Sequence, residues 1–149
     1  GTGYSAPACK IYKTRHQGPW KEQPVPLFLQ PPNAIIERMS APLEISPQEV
    51  QQRIDAGEKL HLLDVRERHE FQTSCIPGAT LIPMREIPGE IQEIETHAAE
   101  APLIVFCHHG VRSLNVVYWL REQGIENCMS MAGGIDAWSR TVDPTVPRY

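Results

Sequence analysis

Cys107 and Arg112 are separated by four residues, His108-His109-Gly110-Val111, and Ser113 follows. These residue types are the ones on this chain best suited to covalent chemistry. The preceding Leu103-Ile104-Val105-Phe106 is an apolar run that reads as a buried strand. Ser113 to Gln123 reads as an amphipathic helix stopped by Gly124. A thiol at the C-terminal edge of a strand then faces the N–H groups of a tight loop and the positive end of a helix. Both favour negative charge, the condition under which sulfur acts as a nucleophile and holds an anionic adduct. Gly110 allows a backbone conformation that other residues resist. Arg112 either pairs with an anionic substrate or braces the loop through backbone carbonyls. Ser113 reads as a helix cap rather than a catalytic hydroxyl. The plainer alternative for Cys107 is a free cysteine buried at a strand end.

His108 and His109 are either ordinary loop residues or imidazoles that shape donor binding, with charge rising as pH falls toward the His pKa. Adjacent side chains rarely converge on one ion and no further ligands lie near them in sequence, so neither a metal nor another cofactor is expected. Cys9, Cys75, Cys107 and Cys128 are scattered, without a CxxC pair or zinc-ligand spacing. A chain of 149 residues builds a core without disulfide staples. Cysteine usage therefore points to a reducing compartment and a cytoplasmic location.

The scaffold that must position these residues is an ordinary globular one. Hydrophobic residues make up 41% and charged residues 21%, as in soluble domains. A net charge of −4 argues against a nucleic-acid surface, and no apolar run is long enough for a membrane helix. The start of the chain also lacks a secretory pattern. Eight of the fourteen prolines fall within the first 47 residues, so 1–44 reads as a proline-rich extension, irregular or partly docked. Trp20 and Phe28 are among its docking candidates, and Met39-Ser40 reads as a native start preceded by a leader. From 45 to 149 the texture is that of a folded domain. Ser46-Pro47-Gln48-Glu49 opens a helix that ends near Gly57. Strands are expected at Leu60–Val65, Ala79–Pro83, Leu103–Phe106 and Cys128–Met131. Helices are expected at His69–Thr73, Ile87–Ala98, Ser113–Gln123 and Ile135–Ser139. This alternation predicts an α/β fold, a parallel sheet with helices on both faces, whose chemistry collects at the carboxyl ends of its strands.

Four motifs occur in order: Asp64-Val65-Arg66-Glu67, Ile76-Pro77-Gly78-Ala79, Cys107-His108-His109-Gly110-Val111-Arg112-Ser113, and Gly133-Gly134-Ile135-Asp136-Ala137-Trp138. Together they resemble the rhodanese-like sulfurtransferases over about residues 45 to 149. Val142 to Tyr149 also looks like the tail of rhodanese domains fused to sulfur-carrier-activating enzymes. The resemblance implies an enzyme of the thiosulfate sulfurtransferase type. Cys107 would attack the sulfane sulfur of a donor such as thiosulfate and become a persulfide, and cyanide, a small thiol or a protein thiol would remove the outer sulfur. The loop from His108 to Ser113 would bind the substrate and the persulfide. Asp64, Arg66 and Glu70 match family positions expected to be structural or near the site, and Trp138 reads as core. Where the family often has Gly-His or Gly-Arg before Ile-Pro-Gly-Ala, this chain has Ser74-Cys75. Cys75 then either fills a small apolar gap or resolves the Cys107 persulfide as a disulfide.

Two other classes compete. Dual-specificity phosphatases and some arsenate reductases share the rhodanese fold, but their loop is one residue longer and a histidine precedes the cysteine. Here Phe106 precedes Cys107 and four residues intervene before Arg112, a loop sized for one sulfur atom. Other rhodanese-like domains are interaction or sulfur-carrying modules without thiosulfate turnover. In that case the proline-rich extension and the closing tail would be the docking surfaces.

Overall fold

The computed structural model describes residues 9–11 and 42–149. Six parallel strands form one sheet: β1 (Lys10–Ile11), β2 (Glu44–Ile45), β3 (His61–Asp64), β4 (Thr80–Leu81), β5 (Leu103–Phe106) and β6 (Cys128–Met131). Their spatial order is β1-β4-β3-β5-β6-β2. The α-helices are α1 (Pro47–Asp55), α2 (Arg68–Thr73), α3 (Ile91–Glu100), α4 (Val111–Glu122) and α5 (Gly134–Thr141). After β4 the chain crosses to the other side of β3 to make β5, which creates a switch point between β3 and β5. Crevices at such points lie at the carboxyl ends of the strands.

Strand β5 shows why a thiol stands there. All four of its residues are buried, as expected of a strand covered on both faces. Side chains alternate, so Leu103, Val105 and Cys107 join one core with Val116, Val117 and Leu120 of α4. Ile104 and Phe106 join the opposite core with Val50, Ile135 and Trp138. Cys107 thus continues the α4 face one residue beyond the strand. Parallel register sets Asp64 beside Phe106 and Val105 beside Ser130, so the ends of β3, β5 and β6 lie together.

The helix starts are those the local chemistry dictates. Ser46 Oγ accepts the Glu49 N–H at 3.2 Å, with Pro47 in the first turn. The helix expected from Ile87 begins later. Met84–Glu90, with Pro88 inside, is a 3-10 turn, and the α-helix starts at Ile91. The helix after the loop begins at Val111, two residues before its expected start at Ser113. In the stretch read as an irregular extension, Lys10–Ile11 pairs with β4 as an edge strand and Glu44 belongs to β2. Residues 1–8 and 12–41, with Trp20, Phe28 and Met39, lie outside the described residues. Cys75 neither lies free in an apolar gap nor waits as a resolving thiol, because it is bonded to Cys9. The pairing spans 66 residues and depends on the edge strand reaching β4, which cysteine spacing alone does not reveal.

Candidate active site

The loop after β5 wraps the Cys107 sulfur with donors. The Gly110 N–H donates to Sγ at 3.1 Å and the Ser113 N–H at 3.4 Å. Ser113 Oγ lies 3.5 Å from the sulfur, 3.2 Å from the Gly110 carbonyl and 2.8 Å from Ser130 Oγ. Ser113 is therefore not the helix cap. Gly110 occupies that position, and Ser113, at the third helical residue, turns its buried hydroxyl toward the sulfur. Ser113 is the partner of the Ser130 hydroxyl. With Ser130 donating, the single Ser113 proton is left for the Gly110 carbonyl or for the sulfur. Ser130 carried no motif in the sequence, and only the β5–β6 register brings it here.

Two glycines make the loop's shape feasible. Gly110 has φ +101°, and a side chain there would press on the Gly133 backbone nitrogen. At Gly134 a Cβ would overlap the Cys107 and His108 carbonyl oxygens. This close approach lets the start of α5 cap the loop from behind. The Ile135 N–H donates to the Cys107 carbonyl at 2.9 Å and the Asp136 N–H to the His108 carbonyl at 3.1 Å. Each carbonyl shares a trans peptide plane with the next N–H, so these two bonds fix the peptide planes that lead from Cys107 into the loop.

Arg112 is held by Glu70 through two parallel bonds of 2.8 Å. Glu70 Oε2 also accepts the Glu67 N–H at 2.9 Å, and Oε1 accepts the Tyr149 hydroxyl at 3.0 Å. The Arg112 guanidinium holds the Glu70 carboxyl down at about 2, and Arg112 is raised in turn. Two of the five arginine N–H donors serve Glu70, which leaves three. Arg112 thus braces the site through a carboxylate and not through loop carbonyls.

Asp64 and Arg66 are fully buried and paired at 2.6 Å. Arg66 also donates to the Glu70 carbonyl, the Ser74 carbonyl and the Tyr149 hydroxyl, so its whole fork is engaged. Ser74 Oγ donates to the Pro147 carbonyl at 2.6 Å. Ser74 thereby supplies ordering at the place where the family pattern has its Gly-His or Gly-Arg. Trp138 is buried in the core with Phe106 and Ile135.

His108 is half-buried and His109 exposed, and their rings stack at 3.9 Å. On its other contact His108 stacks on Tyr149 at 4.1 Å and 13°. Burial, then the neighbouring His109, pushes the His108 imidazole below its ordinary value. Its charge therefore rises only at a lower pH than an isolated histidine would show. Tyr149 carries no motif signal for this site, and only the fold brings its ring and hydroxyl here. Among the described residues no group of three or more metal-ligating side chains is assembled, and no helix is long and apolar enough to cross a membrane.

A sheet switch point, a cysteine ringed by N–H donors and an arginine closing the loop define a rhodanese-type domain. The rhodanese-like domain family matches residues 46–141, and the chain belongs to it. Thiosulfate sulfurtransferase GlpE of Haemophilus influenzae (strain PittEE) is 37% identical over 106 residues, covering 71% of this chain and 96% of that protein. Adenylyltransferase and sulfurtransferase MOCS3-2 of Zea mays is 36% identical over 109 residues, covering 70% of this chain. The chain spans 23% of that maize protein's length. The human single-domain sulfurtransferase TSTD1 matches with a TM-score of 0.58 at 28% identity, over 68% of this chain and 98% of that one.

Proposed function

We propose that this protein is a sulfurtransferase that moves a sulfane sulfur from a donor such as thiosulfate to cyanide or a thiol, through a persulfide on Cys107. The observation that carries this reading is the pair of N–H donors, Gly110 and Ser113, aimed at Cys107 Sγ inside a four-residue loop. In the first step the Cys107 thiolate attacks the outer sulfur of the donor. The donor's S–S bond breaks and, with thiosulfate, sulfite leaves with the bonding pair. The negative charge moves to the outer sulfur of the Cys107 persulfide. The Val111 and Arg112 N–H groups lie in the first turn of α4, where no preceding helical carbonyl can take them, and they are the donors for that sulfur. In the second step the acceptor attacks the outer sulfur, the persulfide bond breaks, and its electron pair restores the thiolate. Cyanide leaves as thiocyanate and a thiol as its own persulfide.

A protein thiol fits the same chemistry as the acceptor. The phosphatase reading loses on loop length and on Phe106. The proposal includes a cytoplasmic setting. Against it stands the Cys9–Cys75 bond, a kind that persists in oxidising compartments. Thiol trapping in fresh extracts distinguishes the two.

The deciding experiment is mass spectrometry of the Cys107 peptide after incubation with thiosulfate. Gain of one sulfur atom, its loss on adding cyanide, and thiocyanate formation abolished in Cys107→Ser are expected. No sulfur gain and no thiocyanate would overturn the reading. Retention of a protein partner by Cys107→Ser, without turnover in the wild type, would select the interaction module. Turnover of an aryl phosphate that depends on Cys107 would select the phosphatase.

A further inference from the structure

The segment after α5, Val142 to Tyr149, lies beyond the family match at 46–141 yet is tied to the site at every step of its last four residues. Val146 is buried in the core that holds Phe106 and Trp138. The Pro147 carbonyl accepts from Ser74, and Arg148 Nε donates to Asp136 at 2.9 Å. Tyr149 then reaches the loop by two routes. Its ring lies flat on His108, the first residue after the nucleophile. Its hydroxyl accepts from Arg66 at 2.8 Å and donates to Glu70 at 3.0 Å, and Glu70 holds Arg112, in the first turn of α4.

We propose that Tyr149 is a positioning residue of the sulfur-transfer site: it clamps both ends of the Cys107–Arg112 loop, by its ring at His108 and by its hydroxyl, through Glu70, at Arg112. The proposal rests on reading Cys107 as the sulfur carrier. The physical reason is geometric. The Gly110 and Ser113 N–H groups serve the sulfur only while the loop keeps its shape, and α5 fixes that shape from behind through the Cys107 and His108 carbonyls. Nothing in that backing fixes the His108 ring or the Arg112 fork at the front. Tyr149 contacts the first directly and the partner of the second. Burial pushes its phenol above the usual value, so the hydroxyl keeps the proton it gives to Glu70.

Two variants separate ring from hydroxyl. Tyr149→Ala removes both, and Tyr149→Phe removes the hydroxyl alone. The first readout is the His108 ring titration by NMR. The groups facing that ring are Tyr149, His109, Glu70, Asp136 and Arg66. In Tyr149→Ala the ring loses its cover and the His108 titration moves up, while Tyr149→Phe leaves it at the wild-type position. The second readout is kcat/KM for thiosulfate with cyanide. It falls between about tenfold and a hundredfold in Tyr149→Ala, a hundredfold being the scale of a 1 Å misplacement, and about threefold in Tyr149→Phe, the scale of one lost hydrogen bond. A tail that only added stability would lower the melting temperature of both variants without this split. Tyr149→Ala with a native circular dichroism spectrum, an unmoved His108 titration and unchanged kcat/KM would overturn the proposal. Should Tyr149→Ala not fold, Tyr149→Phe decides, and an unchanged kcat/KM then overturns it. If the wild type moves no sulfur at all, the sulfurtransferase reading fails on its own, and the His108 titration still shows whether Tyr149 clamps the loop.

Discussion

Glu70 and Arg112 meet edge to edge, each carboxylate oxygen accepting one guanidinium N–H at 2.8 Å. Glu70 sits in the first turn of α2 and Arg112 in the first turn of α4, so one ion pair ties the element after β3 to the one after β5. The arginine that closes the loop therefore arrives with its plane already set and with donors to spare for an anion.

Substituting Glu70→Gln removes one of the two matched bonds and the charge that orients Arg112. Thiosulfate kcat/KM is expected to fall about tenfold. Arg112→Lys should lose at least as much, because an ammonium cannot make two parallel bonds. Steady-state kinetics on both variants, with the fold checked by circular dichroism, test this. Wild-type values in Glu70→Gln would show that the pair does not orient the loop.

Acid should weaken the fold through the same carboxylate. Glu70 ionises at about 2 in the folded chain and near 4.5 when unpaired. Between those values the unfolded chain binds more protons, so stability is complete above pH 4.5 and drains away as pH falls toward 2. The full loss is on the order of 3 kcal/mol. His108 has the opposite ionisation but the same slope. Its folded pKa is lowered, so stability is complete above the ordinary histidine value and declines just below it. Urea unfolding from pH 7 down to pH 3 should show both windows, and Glu70→Gln should flatten the lower one.

Gly134→Ala places a methyl group on the Cys107 and His108 carbonyls at a φ of +60°. A destabilisation of about 3 kcal/mol or more is expected. The denaturant midpoint measures it. Iodoacetamide labelling of Cys107 should change as well, since the same carbonyls set the loop. An unchanged midpoint would contradict the packing of α5 on the loop.

Ser130→Ala deprives Ser113 of its hydroxyl partner in a fully buried pair. The stability cost should be about 1 kcal/mol. Single-turnover sulfur loading should slow by several-fold, because the Ser113 proton is no longer steered toward Gly110 and the sulfur. Loading at the wild-type rate would confine Ser130 to packing.

Cys75 is bonded to Cys9 and so offers no free thiol beside the site. Cys75→Ser is expected to keep sulfur transfer while lowering stability by roughly 2–4 kcal/mol. Thermal unfolding with and without reductant, beside thiocyanate production, separates the two effects. Loss of transfer in Cys75→Ser, at a temperature where it is folded, would return Cys75 to the chemistry.

The sequence by itself determined the parts whose signals are local. A continuous apolar run placed β5, Ser46-Pro47 started α1, and the interval from Cys107 to Arg112 sized the loop. The α/β class followed from strands alternating with helices, and the family from four short motifs in order. Local rules misplaced the start of α4 by two residues, because Gly110 at positive φ, and not Ser113, ends the loop. They also carried a helix back across Pro88, where the chain makes a 3-10 turn. What only the tertiary structure decided are pairings over long separations: Glu70 with Arg112, Ser113 with Ser130, Cys9 with Cys75, and Tyr149 with His108 and Glu70. Periodicity speaks for a side chain's own element and face. Which polar group meets it across the sheet is set by register and crossover, and these exist only once the strands have paired.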